Sequence, residues 1–277
     1  MLKNTSLALL LIIMATAESV LAQQTDPGRA VTIAGPPVQA PDAAKRSLEL
    51  SAGGQSLSGG FGNWRDVTLR GTYGLPGNVV QGEASVLHRF NEDGAFLGVS
   101  DTYTFNEDWF GSVALGAGDG AFYLPRYRVD AALYRKWLAD RSLVTSVGAG
   151  YYNAPDGHTD RSIALGVAYY FKSPWIVEGG VRLNSSNPGS VRTQQQYAAV
   201  TYGRDKQDLV SARYTWGAEG YQAIAANVQI VNFDSREASF TWRHWLNPKT
   251  GVLIGANRYT NPLYNRSGIN IGIFHDF

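Results

Sequence analysis

The last nine residues constrain the fold of this chain more than any other stretch. Ile269-Asn270-Ile271-Gly272-Ile273-Phe274-His275-Asp276-Phe277 alternates apolar residues with polar or small ones and ends on an aromatic carboxylate. Period-two alternation is the mark of a strand with two unlike faces. A last strand that pairs with the first closes a sheet into a cylinder and leaves no open edge. The expectation is therefore an all-β transmembrane barrel of the bacterial outer membrane. Its terminal aromatic, Phe277, would be the feature that the barrel-assembly machinery reads.

The opposite end carries an export signal. Lys3 supplies a positive start, Leu7 to Ala15 an apolar run, and Val20-Leu21-Ala22 the small or neutral residues that a signal peptidase inspects. Cleavage is expected after Ala22, so residues 1–22 form the signal. The apolar run is shorter than the roughly 20 residues of a spanning helix. The chain has no cysteine, which excludes a lipoprotein anchor and disulfide stapling alike. A formal net charge of +1 argues against nucleic acid as a partner. Negative mean hydropathy does not exclude a membrane, because barrels dilute lipid-facing residues with lumen-facing ones.

Residues 23–45 contain Asp26-Pro27-Gly28, Gly35-Pro36-Pro37 and Ala40-Pro41-Asp42 and read as an extended periplasmic leader. Residues 46–277 form the barrel. Val67, Leu69, Gly71 and Tyr73 alternate there with Asp66, Thr68, Arg70 and Thr72, and Ala238, Phe240 and Trp242 with Ser239, Thr241 and Arg243. Turn chemistry recurs at Leu75-Pro76-Gly77-Asn78, Asn106-Glu107-Asp108, Ala139-Asp140-Arg141, Lys172-Ser173-Pro174, Arg204-Asp205-Lys206 and Asn247-Pro248-Lys249. Longer links intervene, the longest over residues 217–236. About fourteen strands are predicted, with twelve to sixteen allowed, and an even count returns both ends to the periplasm.

Alternation alone does not say which face meets lipid, and a periplasmic all-β protein with a soluble core is the competing reading. Three features favour the membrane. Charges gather on one face: Asp66, Arg70, Glu83, Arg89, Arg128, Asp130, Glu178, Arg182, Arg213 and Arg243 are the predicted lumen-lining residues. Aromatics form two sets, Phe105, Trp109, Trp137, Phe171, Trp175, Tyr202 and Phe277 beside the short turns, and Trp64, Tyr127, Tyr151, Trp216 and Tyr259 near the longer links, as interfacial girdles do. The terminal aromatic is the third. Asp101 resists the scheme, since it falls on the lipid phase, and Gln194-Gln195-Gln196 puts an amide on either face. Arg135 and Arg258 also point outward, near strand ends where they can snorkel.

The distal half resembles the YaiO family of outer-membrane barrels. The resemblance is carried by Ser142-Leu143-Val144-Thr145-Ser146-Val147-Gly148-Ala149-Gly150-Tyr151-Tyr152, by Tyr170-Phe171-Lys172-Ser173-Pro174-Trp175-Ile176-Val177 and by Ser211-Ala212-Arg213-Tyr214-Thr215. Order and spacing match over most of residues 48–277, weakening toward the N-terminal hairpins. The resemblance implies an outer-membrane barrel, with a link to surface polysaccharide or polysaccharide-export proteins by analogy.

Chemistry-bearing groups are sparse. His88, His158, His244 and His275 lack metal-pair spacing, so neither a metal nor a cofactor is expected. Asp156, His158 and Asp160 form the only rim group with acid–base potential, against a solvated loop. Gly116-Ala117-Gly118-Asp119-Gly120 lacks the strand–helix context of a phosphate cradle. The leading expectation is a non-enzymatic conduit for small hydrophilic solutes or glycan, with outer-membrane lipid around it. The alternatives are a structural or surface-interaction barrel with a plugged lumen, and then a rim hydrolase.

Overall fold

The computed structural model describes residues 46–277. The expected signal (1–22) and leader (23–45) lie outside the described residues. The first seven strands are β1 (Arg46–Leu57), β2 (Trp64–Leu75), β3 (Asn78–Arg89), β4 (Glu92–Thr104), β5 (Trp109–Gly118), β6 (Tyr127–Trp137) and β7 (Leu143–Asn153). The second seven are β8 (Thr159–Tyr170), β9 (Trp175–Asn187), β10 (Val191–Gly203), β11 (Asp208–Ala225), β12 (Val228–Trp245), β13 (Thr250–Thr260) and β14 (Asn265–Asp276). Each pairs antiparallel with its sequence neighbours, and β14 pairs with β1 to close the barrel. The closing register runs from Ser47 opposite Asp276 to Leu57 opposite Arg266. The Phe277 amide continues it, donating to the Arg46 carbonyl at 2.9 Å. The predicted strand number and the first-to-last pairing are both present.

Burial is inverted relative to a soluble sheet. In β2, Val67 and Leu69 are 45% and 44% exposed, whereas Thr68 between them is 1% exposed. In β14 the outward Ile269, Ile271 and Ile273 are among the most exposed apolar residues, while Arg266 and Phe274 on the other phase are buried. Exposed β-branched side chains in unbroken rows cost free energy in water, at about 25 cal/mol per Å² of apolar surface. They cost nothing in hydrocarbon, so the outer face is a lipid face.

The connections differ at the two ends. At the short-turn end the β2–β3 link is Pro76-Gly77, with Gly77 at φ +85°, which a side chain rarely tolerates after proline in a type II turn. At the other end β3 and β4 are joined only by Phe90 and Asn91, both left-handed at φ 50° and 62°. The link expected over residues 217–236 is not a loop. β11 and β12 stay paired from Gly217 opposite Ser235 to Ala225 opposite Val228, with a register shift between Ala223 and Ala225. The stretch is free of proline and holds Tyr221, Ile224, Val228, Ile230, Val231 and Phe233, so it has the amides and side chains to continue the ladder.

The aromatic girdle beside the short turns lies on the outer face as expected, with Phe105, Trp137, Phe171, Trp175, Tyr202 and Phe277 exposed. The second girdle needs correcting. Tyr127 and Trp216 are exposed, but Trp64 and Tyr259 are fully buried and point inward. Trp64 shares the phase of Asp66, Thr68 and Arg70, and Tyr259 that of Leu253 and Gly255. Arg135 points outward as expected, its guanidinium 3.6 Å from the Trp137 ring centroid and 5.2 Å from that of Trp109. Asp101 is also outward, and its Oδ2 accepts from Asn78 Nδ2 at 2.7 Å.

Candidate functional site

The inner face is the candidate site, and its charged side chains pair with one another. Toward the short-turn end, Glu49 on β1 accepts from two guanidiniums, Arg70 Nη1 at 3.1 Å and Arg243 Nη1 at 2.8 Å. Arg70 Nε continues to Glu83 Oε2 at 3.0 Å. The result is a chain Arg243–Glu49–Arg70–Glu83 that ties β12 to β1, β2 and β3. Ser85 donates to Glu83 at 3.1 Å and lies 2.8 Å from Thr68 Oγ1. Arg243 also lies over Phe274, 3.4 Å from its ring centroid. On the opposite wall Phe110 and Tyr134 stack at 4.5 Å, within a buried cluster that includes Val144, Tyr170 and Ile176.

The other predicted lumen residues lie on the same face. Arg128 Nε is 3.4 Å from Asp130 Oδ2, and Arg182 lies within electrostatic reach of Asp130 and Asp160. Arg213 covers the Tyr197 ring at 3.8 Å and lies near Glu178. Asp66, Arg70, Arg89, Arg128, Asp130, Glu178 and Arg243 are buried, while Glu83, Arg182 and Arg213 are partly so. Prediction left out Glu49, Glu237 and Arg266, the last two paired at 3.1 Å. Glu49 alternates with Leu48 and Leu50, so its phase is readable; Arg266 falls outside a last strand expected from Ser267, whereas β14 starts two residues earlier, at Asn265.

Aromatic side chains cluster at the loop end. Trp64 lies between two guanidiniums, those of Arg89 at 4.6 Å and Arg266 at 4.7 Å. Phe90 meets Phe61, Trp64, Phe122 and Tyr264 with ring centroids 5.0 to 6.3 Å apart. The Tyr123 hydroxyl is 3.1 Å from the Leu87 carbonyl and 3.2 Å from that of Glu92, which draws the β5–β6 connection inward. A phenylalanine in the left-handed region costs roughly 1–2 kcal/mol, and the tight turn that imposes it carries the Phe90 ring into the middle of this cap.

The β11–β12 extension covers the same mouth. Tyr259 donates to Glu219 Oε1 at 3.0 Å, Gln222 donates to the Tyr264 hydroxyl, and Asn261 Nδ2 donates to Gln222 Oε1 at 3.2 Å. On its other side Tyr221 donates to the Pro188 carbonyl at 2.9 Å and stacks on His158 at 5.2 Å. Ile224 packs with Tyr259 and Tyr264, joined by Leu57, Phe61, Phe90 and Ile230. The hairpin thus touches connections on both sides of the opening.

The rim group does assemble. His158 Nδ1 is 2.9 Å from Asp156 Oδ1, and its Nε2 is 3.9 Å from Asp160 Oδ2. The nearby hydroxyl, Ser186, is fully buried and donates to Asp160 rather than to the imidazole. That arrangement does not place a nucleophile on a base. His88, His244 and His275 bond singly to Asp93, Asp208 and Thr250. Among the described residues no group of three or more metal-ligating side chains is present.

The family model of the YaiO membrane beta barrel domain matches residues 45–222. The chain belongs to the YaiO family. The match includes the N-terminal hairpins, where the resemblance was expected to weaken, and ends within the β11 extension. No curated protein matches the sequence. Among solved structures, this YaiO barrel is similar to the CymD monoaromatic hydrocarbon channel, with a TM-score of 0.59 and 8% identity over 96% of this chain and 95% of that one. It is also similar to a bacterial polysaccharide outer membrane secretin, with a TM-score of 0.53 and 11% identity over 85% and 99%. At such identities the likeness is one of fold. Family and fold point to a bacterial outer membrane.

Proposed function

We propose that this YaiO-family protein is a non-enzymatic outer-membrane barrel that is closed at rest, its lumen plugged by its own side chains. The observation that carries this reading is the burial of the inner charges. Side chains lining a water-filled channel stay accessible to water, whereas most of the inward acids and arginines are less than a tenth exposed. Their mutual pairing is what allows them to sit there, since an unpaired charge would cost several kcal/mol.

A conduit opened by displacing the β11–β12 extension is the second reading. It is favoured by the way that extension is held, through side-chain bonds to the loop residues Pro188 and Asn261 and to Tyr259 of β13, while its backbone pairs only within the hairpin and to neighbouring strands. The cargo in that case would be small hydrophilic solutes or surface glycan; the polysaccharide secretin and the hydrocarbon channel among the similar folds are both passage proteins by name. Phe277, exposed at the end of the closing strand, is the proposed handle for the assembly machinery.

Conductance across a planar bilayer decides the resting state. Full-length protein, folded as judged by a boiling-dependent gel shift, is expected to give no steady steps at low voltage. Stable ohmic steps of porin size would overturn the plugged reading and leave the conduit.

A further inference from the structure

The outer face carries a feature that the lumen does not explain. Through its middle the lipid face is built of Leu, Val, Ile, Ala and aromatic residues. At the loop end of β8 to β13 it becomes basic. Arg161 in β8 and Arg192 in β10 both stand opposite Ser185 of β9, so one row across three strands reads Arg, Ser, Arg. With neighbouring strands about 4.8 Å apart, the two arginines stand roughly 10 Å from each other. Arg236 of β12 stands opposite Thr260 of β13, and Arg258 is the next outward residue down β13.

All four arginines are exposed, and none makes an ion pair with a described residue. The acid closest to them on this face is Asp234, one outward position beyond Arg236 toward the hairpin tip. Gln194 sits one outward position below Arg192, an amide where the lipid face calls for an apolar residue. Between the two arginine pairs, Tyr214 and Trp216 stack at 5.6 Å and face outward. Arginine on a lipid face costs up to a few kcal/mol at the midplane and little near the interface. Nothing about spanning a membrane asks for four of them on one side of the barrel.

We propose that this basic side, β8 to β13, binds the phosphorylated sugar headgroup of an outer-leaflet glycolipid of the lipopolysaccharide class. Guanidiniums match phosphate oxygens bidentately, and a patch of four arginines against the single acid Asp234 is net cationic and complementary to an anionic headgroup. Ser185 and Gln194 would meet sugar hydroxyls, while the acyl chains lie along the apolar rows below. The proposal rests on the outer-membrane reading, which puts the loop end in the outer leaflet.

The test uses full-length protein extracted in mild detergent and native mass spectrometry with three probes: bisphosphorylated lipid A, dephosphorylated lipid A and phosphatidylglycerol. Wild-type protein is expected to retain bisphosphorylated lipid A at least fivefold over the other two. The R161Q/R192Q/R236Q/R258Q variant is expected to lose that preference, and R65Q, an outward arginine on β2 away from the patch, to keep it. A boiling-dependent gel shift checks that each variant is folded, which exposed positions should permit. Equal retention by the fourfold variant and wild type, or equal retention of phosphatidylglycerol and lipid A by wild type, would overturn the proposal. Density-gradient fractionation of cell envelopes tests the membrane placement separately, so a barrel found in the outer membrane that ignores lipid A refutes only the patch.

Discussion

Glu49 is the residue on which the interior network turns, because its two oxygens serve two different arginines. Replacing it with glutamine keeps the shape but leaves Arg70 and Arg243 with one carboxylate between them, that of Glu83. Breaking one partner of a buried ion pair costs roughly 3–5 kcal/mol. E49Q is therefore expected to lower unfolding stability in urea by about 3 kcal/mol, and E83Q by less, since Glu83 is more exposed and serves Arg70 alone. Equal effects would show that the network is not organised around Glu49. Asp101 gives the opposite expectation. Its Oδ2 is held by Asn78, but its Oδ1 is buried without a hydrogen-bond partner on a lipid-facing strand. D101V is expected to raise stability, by about 1 kcal/mol at that depth; a loss on the same urea titration would assign the carboxylate a structural role. At this scale the sequence was legible wherever one phase was plainly polar. Trp64 shares a phase with Asp66 and Arg70, so its inward aim could be read; Tyr259 could not be, because Leu253 and Ile254 make both phases of β13 apolar.

At the scale of elements, the β11–β12 extension matters most. Its outward positions include Asn232 and Asp234 and so lack the unbroken apolar row of a lipid face, which leaves period two without a strand signal there. The side chains that hold it down are Tyr221, Gln222, Glu219 and Ile224. The chain contains no cysteine, so one can be introduced as an isolated reporter. Gln55, inward near the loop end of β1 and buried, is a suitable place. Q55C is expected to resist a water-soluble maleimide in the full chain. It should react at least tenfold faster when residues 219–233 are replaced by an Asn-Gly turn, which suits a two-residue hairpin. Unchanged labelling would mean that the aromatic cap alone seals the mouth.

For the whole molecule, closure was legible from the terminal strand, and the strand count from the alternation of turn chemistry with apolar rows. What was not legible was the charge pairing inside the cylinder, which depends on arginines and carboxylates meeting across strands remote in sequence, as Arg243 and Glu49 do. The terminal residue allows a test at this scale. Phe277 adds one backbone bond to the closing register and leaves its side chain exposed. Deleting it is expected to change unfolding stability in detergent by less than about 1 kcal/mol while sharply reducing the heat-modifiable fraction in cell envelopes. A large loss of stability in detergent would place the role of Phe277 in the fold itself. Every join but one links strands that follow each other along the chain. Thirteen hairpin contacts can zip up locally, but the seam must bring Ser47 to Asp276 across nearly the whole polypeptide. Distant encounters carry the larger entropic toll and come late, so the cylinder should exist first as an open, rolled ribbon whose two free margins meet in the final event of its biogenesis.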